Sequence, residues 1–145
     1  MCAMLLGVAS LAAQEEQFKA LGKKYDKMDG YEVMSVGRAA IRMAALSGDK
    51  GSRDMMRKID LLVSVSHKGK VSGPLRSDFN RLIGGYDSVW AIKKDTVDVE
   101  IFMNSEHTGF AMYGQSPSGE TVLLLSGKDL QLEELLPQEV QQGSE

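Results

Sequence analysis

The sequence is poor in the residue types that most often carry chemistry. It holds one cysteine, Cys2, so no intramolecular disulfide and no cysteine-based metal site can form. Its two histidines, His67 and His107, stand in no HxxxH or similar spacing. A metal site would need both to converge from a distance on a carboxylate such as Glu106 or Asp95, so exposed turn histidines are the simpler account. No GxSxG nucleophile motif is present, and Ser64 and Ser66 fall on the less apolar face of their strand. No cofactor or metal is expected, and catalytic residues are not assigned.

Concentrated positive charge is missing too. The 17 Lys and Arg residues are scattered, Lys23–Lys24 and Lys93–Lys94 being the densest spots, and the net charge is −3. Phosphate affinity comes from basic groups acting together, so nucleic-acid binding is not expected. The glycine-bearing stretch Ser47–Asp54 lacks the strand–GxxxxGK[ST]–helix frame of a phosphate loop and reads as a solvated, mobile linker. Ser126–Asp129 precedes a helix but has no upstream glycine at the required spacing, so a turn with a helix cap is the better account. The apolar start is shorter than the about 20 residues a bilayer-spanning helix needs, and no transmembrane span is expected.

What is present describes an ordinary globular chain of 145 residues, 43% hydrophobic and 26% charged, enough for one domain with a proper core. MCAMLLGVASLAAQ reads as a clipped signal peptide over residues 1–13, with small residues before Gln14 for cleavage. No Lys or Arg precedes its apolar run, so either the start lies upstream or the segment is a buried helix; the clipped signal is the favoured reading. A single domain over 14–137 and a flexible tail over 138–145 complete the division.

Phe18, Leu21 and Tyr25 give residues 14–27 a helical stripe, ended by Asp29-Gly30. Tyr31–Val36 alternates as a short strand, and Gly37–Leu46 returns to helical spacing. Ile59, Leu61, Val63 and Val65 define another strand. Pro74 suits a helix first turn after a cap region at Ser72, and Leu75, Phe79, Leu82 and Ile83 form its core stripe. Four strands follow between Tyr86 and Ser126, joined by connections short enough to require antiparallel neighbours. A last helix is expected through Leu130, Leu132, Leu135 and Leu136, with Asp129 as N-cap. The fold class is therefore α+β: a mainly antiparallel sheet with a C-terminal four-strand meander and helices packed on one face.

The segments FKALGKKYDKMDGYEVMSVGRAA, YDSVWAIKKDTVDVEIFMNSE and VLLLSGKDLQLEELL, the last around Ser126–Leu130, cover most of the expected mature chain. Their pattern of apolar positions resembles the domain of unknown function 4252 family, small exported proteins of Bacteroides-type bacteria. The resemblance implies export to the periplasm or cell envelope and one α+β domain; it supplies no reaction.

Two expectations concern function. Val97, Val99, Ile101 and Met103 share one strand face, expected to receive the helices, above all the Leu75–Ile83 stripe. The other face, with Trp90, Asp98, Glu100 and Phe102, is then the possible interaction surface. Asp98 and Glu100 also form a carboxylate pair of the kind used in acid–base work, for which a solvated strand face is the plainer reading. Nine methionines, four of them in the first half near Ser47–Asp54, suit core filling first and an adaptable binding surface second. These features favour a non-enzymatic exported module whose partner is another envelope protein. A small hydrolase or ligand-binding enzyme and a structural or adhesion subunit are the alternatives.

Overall fold

The computed structural model describes residues 2–46, 50–69 and 73–135. In chain order it contains α1 (Cys2–Asp26), β1 (Tyr31–Gly37), α2 (Arg38–Ala45), α3 (Lys50–Met56), β2 (Ile59–Lys68), α4 (Gly73–Leu82), β3 (Asp87–Lys94), β4 (Val97–Met103), β5 (Gly109–Ser116), β6 (Gly119–Gly127) and α5 (Leu132–Leu135). The strands form one antiparallel sheet ordered β1-β2-β6-β5-β4-β3. The fold is α+β, and β3 to β6 are the expected C-terminal meander, consecutive in sequence and in space. A two-residue connection, Asp95-Thr96, closes β3 onto β4, with Asp95 taking the left-handed conformation such turns demand (φ 57°).

Both faces of the sheet are covered, by different elements. On the first face, Phe18, Leu21 and Tyr25 of α1 and Leu75 and Phe79 of α4 meet Leu61, Val63, Val65, Ala111, Tyr113, Val122 and Leu124. Phe18, Leu75 and Phe79 have no exposed surface, and burying a side chain of that size stabilises by about 1.5–3 kcal/mol. On the second face, Ile41 of α2, Met55 and Met56 of α3, and Leu130 and Leu132 at the C-terminal end meet Ile59, Ile101, Met103, Phe110 and Leu125. The two longest amphipathic helices thus share a face as expected; the second cover is additional.

A bulge at the start of β2 adds Ile59 to the second core. The register shifts between Ile59 and Leu61, which lets these two residues face opposite cores. Arg42 of α2 donates to the carbonyls of Met56 (2.6 Å) and Ile59 (2.9 Å) beside that bulge. Asp60 accepts from Arg38 (2.9 Å) and Arg42 (3.3 Å), so α2 is tied to the irregular backbone by charge-assisted bonds.

Several sequence expectations are corrected. Ser47–Asp54 is not a loop throughout: the chain is helical from Lys50, because Met55 and Met56 at its end have a core to pack on. The first helix begins at Cys2 and runs unbroken through Gln14. Asp129 is not the cap of the last helix, which starts at Leu132; Asp129 takes φ 51° and accepts from Gln131 (3.0 Å). Leu130 precedes the helix and is pinned to His107, by its N–H to the His107 carbonyl (2.9 Å) and by its own carbonyl to His107 Nδ1 (3.0 Å). The Leu75–Ile83 stripe packs on the face of Phe102, not on that of Ile101 and Met103. Ser72, Leu136, Pro137 and the tail lie outside the described residues, as does 47–49 of the expected linker.

One buried polar residue fixes α1 on the sheet. Gln14, 8% exposed, donates to the Thr108 carbonyl (2.9 Å) and Ser126 Oγ (3.1 Å) and accepts from Tyr86 Oη (2.5 Å) and Asn104 Nδ2 (3.2 Å). All four hydrogen-bonding positions of its amide are used. Gly109 is required beneath it, since a Cβ there would stand 2.3 Å from Tyr86 Oη and 2.5 Å from Gln14 Oε1.

Candidate functional site: the far end of the sheet

The Gln14 node and the second cover occupy one end of the sheet. At the other end the cross-strand rows turn polar. On the first face a row crosses all six strands as Tyr31–His67–Glu120–Gln115–Asp98–Lys93. On the second face its neighbour reads Glu32–Ser66–Thr121–Gly114–Val99–Ile92. Antiparallel pairing and strict alternation put each row together, although no two residues within a row are neighbours in sequence.

The first-face row is largely closed over. Glu120 is 2% exposed and accepts a short hydrogen bond from Tyr113 Oη. Burial first, then the hydrogen bond to Glu120 and its charge, push the Tyr113 phenol well above its ordinary value. The Arg76 guanidinium of α4 lies 4.4 Å from the Tyr113 ring centroid and pairs with Glu100 at 3.3 Å. His67 stacks on Tyr31 with centroids 4.5 Å apart, and Tyr31 stacks on Tyr25 at 4.8 Å. His67 Nδ1 is buried without a hydrogen-bond partner among the described residues. Gly119, opposite Lys68 in the pairing, is needed because a Cβ would strike the His67 carbonyl at 2.1 Å.

Above this row, Asp78 of α4 accepts from Lys24 Nζ and Tyr25 Oη, both at 2.6 Å. Burial opposes ionisation of Asp78, but these bonds and the charges of Lys24 and Arg81 outweigh it and hold the carboxyl below its ordinary value. Burial and the bond to Asp78 raise the Tyr25 phenol well above its usual range. The arrangement is a polar staple joining α1, α4 and the sheet. Through Tyr25 and Tyr31 it reaches the His67 imidazole, while the carboxylate of the row beneath, Glu120, is kept from solvent at 2% exposure.

The second face is different. Its rows grade from apolar to polar along the strands: Val36–Leu62–Leu125–Phe110–Met103 under the second cover, then Met34–Ser64–Leu123–Met112–Ile101–Trp90, then the Glu32–Ile92 row. The last of these borders an open cavity of about 400 Å³ lined by Glu32, Ser66, Lys68, Val99, Gly114 and Thr121, with His67, Gln115 and Glu120 of the first-face row also in its wall. Met34 is 55% exposed and Val97 43%. The floor is made of small side chains: Ser66 and Thr121 bring their hydroxyls to 3.4 Å, and Gly114 adds none. Lys68 and Glu32 stand 3.8 Å apart at the rim.

The residues singled out from sequence do not form one surface. Phe102 is half-buried in the first core, edge-on to Phe79 at 5.8 Å, whereas Trp90 packs against the second core on the opposite face. A register shift between Ser88 and Trp90 in β3 accompanies this placement. Asp98 and Glu100 do share the first face, but Glu100 is engaged by Arg76, so no free carboxylate pair results. His107 sits in the β4–β5 turn at φ 58°, held by Leu130 and remote in sheet register from His67. Sequence reasoning missed the two polar rows. The available signal was positional: Tyr31-Glu32, Ser66-His67, Glu120-Thr121 and Gly114-Gln115 each stand at or near a strand end, but only the strand order puts those ends together.

Among the described residues, no group of three or more His, Cys, Asp or Glu is placed to hold a metal ion. No helix among them is long and apolar enough to cross a membrane. Comparison with family models, with curated proteins and with solved structures returned no match.

Proposed function

We propose that this chain is an exported envelope protein of the domain of unknown function 4252 type that works without catalysis, by holding another envelope protein against the open end of its second sheet face. One observation carries the reading. The apolar half of that face is roofed by α2, α3 and Leu130, while among the described residues the half bearing Ser66, Thr121 and Gly114 borders a cavity of about 400 Å³. Exposed apolar groups beside a floor of small polar ones are the composition of a recognition surface, since they offer desolvation together with hydrogen bonding. Export is supported by the signal-like start, MCAMLLGVASLAAQ, and by the family resemblance.

The test is capture of partners from the native envelope by the tagged chain and by its Thr121→Arg variant. A partner retained by the parent and by Ser77→Arg, on exposed helix surface, but lost by Thr121→Arg is the expected result. Equal capture by all three overturns the reading. Fractionation with N-terminal sequencing checks export, and a cytosolic chain keeping Met1 contradicts it.

A ligand-binding or hydrolytic reading draws on one observation, the placement of His67 directly across from Glu120. It requires that His67→Ala abolish a turnover or a ligand-induced shift in melting temperature. The closure of Glu120 to 2% exposure weighs against it.

A further inference from the structure

The two edges of the sheet are built differently. The β3 edge carries Asp87, Lys93 and Lys94, and a register shift between Ser88 and Trp90 breaks its regularity. Charge and bulges are the usual means of keeping an edge strand from pairing with another chain. The β1 edge is less defended. Its register against β2 is continuous from Tyr31 to Gly37, it holds no proline, and its only charge is Glu32. At its centre Met34 is 55% exposed. Among the described residues no strand lies beyond it.

We propose that β1 pairs with β1 of a second copy of this chain, antiparallel across a two-fold axis through Met34, making one twelve-stranded sheet. The strand is its own complement in this register, which pairs all seven of its residues. Met34 meets the partner copy's same methionine, each covering the other's exposed thioether. Glu32 falls opposite Val36, and Val33 opposite Ser35, so no like charges face each other. Tyr31 falls opposite Gly37, where open space would surround even an added Cβ, so the pair is not crowded while the Tyr31 ring keeps its contacts with His67 and Tyr25. The pairing residues sum to an even number in every case, so each face of one sheet continues into the same face of the other. A second copy suits this edge because the register sets exposed Met34 against Met34 and places no like charges opposite each other. The dimer does not rest on the proposed function, although Met34 and Glu32 stand on the same sheet face as the partner site.

The test is light scattering on the size-excluded full chain, compared with Met34→Lys and Met34→Glu. The parent is expected at twice the chain mass and each variant at the single-chain mass, because like charges then sit directly opposite at the axis. An equimolar mixture of the two variants is expected to return to twice the mass, which a folding defect cannot produce. Circular dichroism of the variants should match the parent, the site being on the surface. A parent that stays at the single-chain mass up to its solubility limit overturns the proposal. So does a dimer that survives Met34→Lys, or a mixture that fails to pair.

Discussion

Replacing Gln14 by alanine tests how α1 is held. The change removes the four hydrogen bonds of the Gln14 amide, but their partners are not equally harmed. The Thr108 carbonyl keeps the Gly127 N–H at 3.0 Å, and Asn104 Nδ2 keeps Thr108 Oγ1 at 2.7 Å. Ser126 Oγ, on a fully buried residue, and Tyr86 Oη lose the partner described above. Stranding two buried hydroxyls at about 1–3 kcal/mol each, softened by water entering the space left, gives a loss of about 3 kcal/mol. For a domain of this size that lowers the melting temperature by about 10 °C. The assay is thermal or urea unfolding by circular dichroism, with the exposed Gln17→Ala as control, expected to change stability by less than about 0.5 kcal/mol. Gln14→Leu separates the causes. It restores apolar volume yet seals both hydroxyls away from water, so it should be no more stable than Gln14→Ala. A leucine variant near parental stability would show that volume, not hydrogen bonding, holds the helix, and would refute the reasoning.

Three further outcomes are expected. Gly109→Ala should destabilise by about 1–3 kcal/mol through overpacking against Tyr86 and Gln14, whereas Gly114→Ala, whose Cβ would meet Val99 at an ordinary 3.6 Å, should fold normally; equal melting temperatures would contradict this. The Asp78 carboxyl is held below its unfolded value, so its stabilisation is present above the unfolded pKa and disappears as pH falls through the folded one; Asp78→Asn should flatten that acid limb in urea titrations, and an unchanged limb would count against the staple. Tyr25, Tyr86 and Tyr113 have raised pKa values, that of Tyr86 pushed up to about 12 by burial first and then by Glu106. Their contribution is whole below the unfolded tyrosine pKa and is lost as pH rises above it, so absorbance titration should show most phenols ionising late and together with alkaline unfolding; early ionisation with the fold intact would refute it.

The meander was legible because its strands alternate and its connections are too short for any crossover. Which face of β4 takes α4 was not, since Ile101, Phe102 and Met103 are apolar in succession and alternation cannot rank their two sides. The helix from Lys50 was hidden by Gly51 and Ser52, poor helix formers overridden by the packing of Met55 and Met56. The turning of Ile59 to the second core follows from a bulge at Ile59–Leu61, which leaves no mark in an apolar run. The burial of Gln14 was not legible because a glutamine shows it only through partners remote in the chain, here Thr108, Ser126, Tyr86 and Asn104. The candidate site was missed for a related reason: Glu32, Ser66, Thr121 and Gly114 become one floor only after the strand order is known.

The open end of the second sheet face is the centre of the account, and photo-crosslinking addresses it most directly. A photoreactive phenylalanine derivative placed at Thr121 and, separately, at the exposed Ser77 of α4 is activated in cells carrying the native envelope. A discrete adduct with a different envelope protein, formed from Thr121 and absent from Ser77, is the predicted result. No adduct from Thr121, or the same adducts from both positions, would contradict it.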